Sequence, residues 1–189
     1  DGEPIAHLGI EQRRRRRLLG APEKRLGHAA VPDLTLWENV ILTARQTRGI
    51  LKNEYLISGT AAKAFAQEVI QTFDVRTTSV NAKASSLSGG NLQKFLIGRE
   101  LLGQPRVLIV SNPTWGVDAK AQLFIHQMLM DIADQGASII LLSQDIDELL
   151  SVTDRICAIC HGRLSRTFAT EDMTPEHLGA LMLGQEIEA

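Results

Sequence analysis

Long apolar runs are missing from this 189-residue chain. The stretches "VLIV" and "IILL" are far shorter than the ~20 residues a membrane-crossing helix needs, so no span is expected. The opening stretch, "DGEPIAHLGIEQ", lacks the apolar h-region of a signal peptide. An excess of one charge is missing too. The formal net charge is −2 with both signs mixed along the chain, which removes the case for bulk nucleic-acid binding. Cysteine is scarce: Cys157 and Cys160, in "RICAICHG", are the only two, and the five histidines show no HxxxH spacing. With no second cysteine pair, a redox or zinc role is set aside. Both are read as strand residues facing opposite sides, reduced in a cytoplasmic compartment. No internal repeat is visible.

What is present suffices for one core or two small subdomains, and the hydrophobic content of 44% is that of an ordinary globular protein. The five arginines Arg13 to Arg17 could form a phosphate or lipid-headgroup patch. Without interleaved aromatics they are read as the solvated face of a short helix. Thr35 with Glu38 in "TLWE" makes a capping box, starting a helix that buries Leu36, Val40 and Ile41. A second helix from near Thr60 carries Ala62, Phe65, Ala66, Val69, Ile70 and Phe73 on one face. The polar "RTTSVNAKASS" then leads into "SSLSGGNLQK", after which Leu92, Phe95 and Leu96 repeat at helical spacing and Arg99 follows. A helix tipped with Ser-Gly-Gly is a seat for an anion, because its first N–H groups lack intrahelical acceptors and glycine lets a ligand come close.

From Pro105 the period changes. "RVLIVSNP" reads as a buried strand, followed by a helix with Phe124, Ile125, Met128, Leu129 and Ile132 inward and ending at Gly136. "ASIILLS" is a second buried strand, and a short helix follows around Ile146–Leu150. A hairpin turns at His161-Gly162, and Thr174-Pro175 provides the N-cap and first position of a closing helix. Strand, helix, strand with wholly apolar strands predicts an α/β fold with a parallel sheet.

Taken in order, "LSGGNLQK", "VLIVSNPTWGVDAKA" and "LLSQDIDELL" resemble an ATP-binding cassette (ABC) ATPase. With "APEKR" ahead of "LTLWENVIL" and the "HLGALMLG" ending, the chain more narrowly resembles the second half of the tandem cassettes that drive bacterial importers of simple sugars and nucleosides. The resemblance implies an incomplete P-loop NTPase core of ABC type, with parallel strands plus a helical signature subdomain. Residues 1–34 would be a core remnant with the coupling segment, and 35–104 the helical subdomain ending in the signature and its helix. Residues 105–170 would hold core strands with a degenerate Walker B motif, D-loop and switch region, and 171–189 the C-terminal helix. Such cassettes hold ATP phosphates with a loop of the form GxxxxGK[ST], whereas these residues contain no Gly-Lys dipeptide. The expectation is a chain that begins downstream of its own P-loop, without the central strand and first helix of the core. An apolar sheet edge would then invite self-association.

In resembling proteins two cassettes face each other head to tail, and the signature of one caps the γ-phosphate of ATP held by the other. On that pattern Ser88 donates a hydroxyl hydrogen bond, Gly89 and Gly90 offer N–H groups backed by the helix dipole, and Gln93 completes the motif. Ser111 and Asn112 stand where the family carries Asp-Glu. Serine lacks the charge that holds a hard cation, and an amide cannot act as general base. Gln144 stands at the switch histidine. Three downgraded groups at one site imply a degenerate catalytic site. Glu23 falls in the coupling loop and Asp118 in the D-loop. The implied partners are an N-terminal cassette of the same polypeptide and membrane permease subunits, with ATP in trans and no nucleic acid. ATP and magnesium are expected in the full assembly, with neither bound, no metal held and no ATP hydrolysed by this chain alone. The implied location is peripheral, on the cytoplasmic face of the bacterial inner membrane. Two rivals remain: an ABC ATPase acting on nucleic acid or ribosomes, and a purely structural permease-binding module. The transported solute is not legible, because permeases and binding proteins select it.

Overall fold

The computed structural model describes residues 4–46, 48–53 and 55–185, in two compact units, Asp1–Leu142 and Ser143–Ala189. The first unit opens with α1 (Ile10–Arg15) and β1 (Leu18–Ala21), followed by α2 (Leu36–Ala44). The short hairpin β2 (Leu51–Lys52) and β3 (Leu56–Ile57) leads to α3 (Gly59–Thr72) and α4 (Gly89–Leu101). The unit closes with β4 (Val107–Ser111), α5 (Ala119–Asp134) and β5 (Ser138–Leu142). Strands β1, β4 and β5 form one parallel sheet with β4 central; Leu18 lies opposite Val107, and Val107 opposite Ser138. This is the α/β arrangement with parallel strands that the sequence predicts. Strand β1 was not foreseen, because four residues between an arginine run and a proline carry too little periodicity to read.

The helices start where local chemistry dictates. Thr35 Oγ1 accepts from Glu38 N at 3.4 Å while Glu38 Oε2 accepts from Thr35 N at 2.8 Å, the reciprocal cap expected for α2. Ser58 caps α3 by accepting from Ala61 N at 3.3 Å. Leu36, Val40, Phe65, Val69, Phe95 and Leu96 pack with Leu108 and Ile125 into one core, which sets α4 against both the helical block and the sheet.

Polar groups are also threaded through this core. Buried Asn39 donates to the carbonyls of Val31, Leu34 and Thr35 at 3.1, 3.2 and 3.0 Å, and accepts from Val31 N at 2.8 Å. The carboxylate of Glu100 bridges Arg99 at 2.9 Å and Arg14 at 3.1 Å. Arg99 also donates to the carbonyls of Asn39 and Ala29, so its buried guanidinium is matched on all three nitrogens.

Four local expectations are corrected. Arg14 is not on a solvated face, since it reaches Glu100 and the Thr43 carbonyl. The strands β4 and β5 are not buried throughout: Leu108 and Val110 are buried, whereas Ile109, Ile140 and Leu142 are exposed, the alternation of a strand whose successive side chains point to opposite faces. Phe124 is 37% exposed rather than inward, and meets Phe73 edge-on at 5.2 Å. Cys157 is exposed between two strands instead of within one, because the chain changes pairing partner there.

The second unit holds α6 (Ile146–Val152), β6 (Arg155–Ile156), β7 (Ile159–Cys160), β8 (Arg163–Leu164), β9 (Phe168–Ala169) and α7 (Pro175–Met182). β6 pairs with β9 and β7 with β8, both antiparallel. The β7–β8 turn falls at His161 and Gly162, with φ of 49° and 74°, the left-handed pair a two-residue hairpin requires. Thr174 caps α7, with Pro175 in its first turn. No helix among the described residues is long and apolar enough to cross a membrane.

Candidate functional site

The N-terminal end of α4 carries the Ser-Gly-Gly. Ser88 is the N-cap, in extended conformation, and its Oγ accepts from the Asn91 side chain at 2.9 Å and from Asn91 N at 3.5 Å. Accepting these bonds leaves the hydroxyl hydrogen able to point outward. Ser88 and Gly89 are exposed and Gly90 half-buried. The first-turn N–H groups of an α-helix have no partner within it and sit at the positive end of its dipole. A terminal phosphate fits this end in charge and in hydrogen-bonding chemistry.

Two side chains of α4 fix this end against the turn that follows β4. Buried Gln93 donates from Nε2 to the carbonyls of Asn112 at 3.1 Å and Pro113 at 2.9 Å. Lys94 pairs with Asp118 at 2.9 Å, while Asp118 Oδ1 caps α5 by accepting from Ala121 N at 3.0 Å. The Lys94 hydrogen bond, helped by the Ala121 N–H, draws the Asp118 carboxyl down to about 2, so it stays ionised at every physiological pH. The structure therefore brings Ser88, Gly89, Gly90, Gln93, Ser111, Asn112 and Asp118 into one neighbourhood.

Asn112 sits at the end of β4 with φ of 47°. Asparagine tolerates this left-handed region better than most residues. Its N–H donates to the Leu142 carbonyl at 2.8 Å, and its own carbonyl accepts from Trp115 N at 3.2 Å. Ser111 ends the strand, opposite Leu142. Neither position supplies a carboxylate. A magnesium ion, which prefers charged oxygen ligands, does not fit this pair of residues. Among the described residues no group of three His, Cys, Asp or Glu could hold a metal ion. Gln144 is exposed and lies in the second unit, just ahead of α6.

Glu23 is exposed on the loop after β1 and helps to line an open cleft of about 630 Å³, with Lys24, Arg25, Trp115 and Gly116. Sequence reasoning missed Arg25, Lys94, Trp115 and Gly116. All four lie inside or beside motifs that drew attention, but nothing in a linear motif says that they meet.

No protein-family model matches the chain. Over 98% of its length it is 33% identical to a ribose import ATP-binding protein of Rubrobacter xylanophilus, of which it spans 37%. It is 37% identical over 88% of its length to a nucleoside import ATP-binding protein of Lactococcus lactis, spanning 33% of that protein. A xylose import ATP-binding protein of Moorella thermoacetica is 31% identical over 97% of the chain, which spans 36% of it. Among solved structures, a dimeric ATP-binding cassette in a post-hydrolysis state, bound to ADP and Pi, superposes with a TM-score of 0.70 at 24% identity. That match covers 87% of this chain and 68% of the other. The chain thus has the ABC ATPase fold, and its homologues over most of its length are the ATP-binding proteins of sugar and nucleoside importers.

Proposed function

We propose that this chain is cassette sequence of a bacterial ABC importer for sugars or nucleosides, and that its role is to complete an ATP site on a partner cassette. Ser88, Gly89 and Gly90 would meet the terminal phosphate of ATP bound by that partner, complementing charge that grows as the phosphate is cleaved. Its own catalytic site would be idle, with Ser111, Asn112 and Gln144 in the places of stronger groups. This pairing is the pattern of the second cassette in a tandem pair. The location is then peripheral, on the cytoplasmic face of the membrane, with the loop around Glu23 facing the permease subunits.

One observation carries the reading. The signature end is intact, exposed and braced by Gln93 and Lys94, while the end of β4 beside it offers no carboxylate to activate water. In the assembled transporter, Ser88→Arg is expected to lower ATP turnover by roughly a hundredfold, as loss of a transition-state donor does. Asn112→Ala is expected to leave turnover within about twofold, since an amide there contributes no general base. Equal damage from the two substitutions would overturn the idle-site reading, and a harmless Ser88→Arg would overturn the role in trans.

A further inference from the structure

We infer that Arg25 is a positioning residue for the signature end: its guanidinium ties the turn after β4 to the first turn of α4. The loop that carries Glu23 would thereby set where the phosphate-facing groups stand. The inference rests on the proposed function and adds to it a route by which a partner settling at Glu23 regulates that site.

The loop itself is held in place. The Arg25 carbonyl accepts from Ala29 N at 3.0 Å and from Ala30 N at 2.8 Å, and Gly27 N donates to the Ala30 carbonyl at 2.7 Å. From this base the side chain crosses to the other two segments. Its Nη2 donates to the carbonyl of Trp115. A methyl group on Gly89 would lie 2.8 Å from Nη1, and one on Gly116 would lie 3.2 Å from Nη2. The guanidinium thus fills the space that side chains at positions 89 and 116 would need.

Beneath it the two backbones touch directly, since a methyl group on Gly90 would lie 2.6 Å from the Gly116 carbonyl oxygen. Gly116 also has φ of 72°, so its lack of a side chain is needed for both conformation and space. Two glycines, Gly116 from the turn and Gly89 from the signature, thus face one arginine, while Gly90 meets the backbone of the turn itself. A planar fork with donors on separate nitrogens can serve both sides of such a junction, whereas a lysine ammonium is a single point on a flexible stem. The open cleft lined by Glu23, Lys24, Arg25, Trp115 and Gly116 borders the same junction. A partner seated there touches the loop and the turn together.

The test is a double-mutant cycle in the assembled transporter, with ATP turnover measured against ATP concentration. Arg25→Ala and Gly89→Ala are each expected to lower kcat by on the order of tenfold, the effect of misplacing reacting groups. The double variant is expected to be no worse than Arg25→Ala, because the added methyl group clashes with the guanidinium alone. Arg25→Lys is expected to behave like Arg25→Ala. Independent, additive losses, or full activity with lysine, would overturn the inference, the latter by showing that charge alone suffices.

A second readout does not need ATP. In a Trp37→Phe background, iodide quenching of Trp115 fluorescence is expected to rise on Arg25→Ala as the turn is released. Unchanged quenching would also overturn the inference. Ser88→Arg separates the two readings: if it is harmless the role in trans fails, while quenching still decides whether Arg25 holds the turn.

Discussion

Glu100 holds two arginines with one carboxylate. Its Oε1 meets Arg99 and its Oε2 meets Arg14, with both Glu100 and Arg99 buried. Burial pulls the Arg99 guanidinium below its ordinary value, and the neighbouring Glu100 opposes that shift. Such a node is marginal in net energy, because two desolvation penalties oppose the attraction. Removing one partner is a different matter, since it leaves charge in the interior with no counter-ion. Glu100→Gln is therefore expected to destabilise the chain by about 3–5 kcal/mol, read as a lower urea midpoint with an unchanged slope. A loss below about 1 kcal/mol would mean that water reaches the node and screens it. The arginine run was legible as charge but not as structure. Nothing near Arg14 announces a partner 86 positions away.

Helix α4 meets other elements over most of its surface. Ten of its thirteen residues are buried, and its glycines mark the places of closest approach. At Gly98 the neighbour is the ring of Phe73, just past α3, where an added methyl group would lie 2.5 Å from Cδ2. Gly98→Ala raises helix propensity yet overpacks this contact. The balance is expected to cost about 1–3 kcal/mol, and Phe73→Leu is expected to recover part of that loss in the double variant. Recovery measured by thermal unfolding would assign the penalty to the ring rather than to the helix. At this scale the sequence was readable wherever the code is local. The Thr35–Glu38 cap, the Thr174 cap and the His161-Gly162 turn each depend on residues at most three apart, and each stands as expected. The strand β1 and the meeting of Arg25 with Trp115, 90 positions apart, depend on pairings that no short window contains. Sheet exposure was misread for the same reason, because an apolar run does not reveal how many of its faces are covered.

The two units differ in how much core they own. The first gathers its helices and sheet around more than twenty buried apolar side chains, whereas the second has Ile156, Ala158, Met173, Leu178 and Leu181. A chain of fewer than about 50 residues with so small a core rarely folds alone. A peptide spanning 143–189 is therefore expected to show no cooperative melting by circular dichroism, while the full chain does. A sharp transition in the peptide would make the second unit self-sufficient.

The parallel sheet also has a history in time. Among the described residues strand β1 pairs with β4, and the partner of Leu18 is Val107. A ribosome adding roughly 5–20 residues per second needs on the order of 5–20 seconds to cover that distance. The helices α2 and α3 can close on each other during that interval, since both precede the partner strand. Until β4 emerges, the edge of Leu18–Ala21 that will meet it is unpaired, and the newborn chain carries a site that chaperones are built to hold.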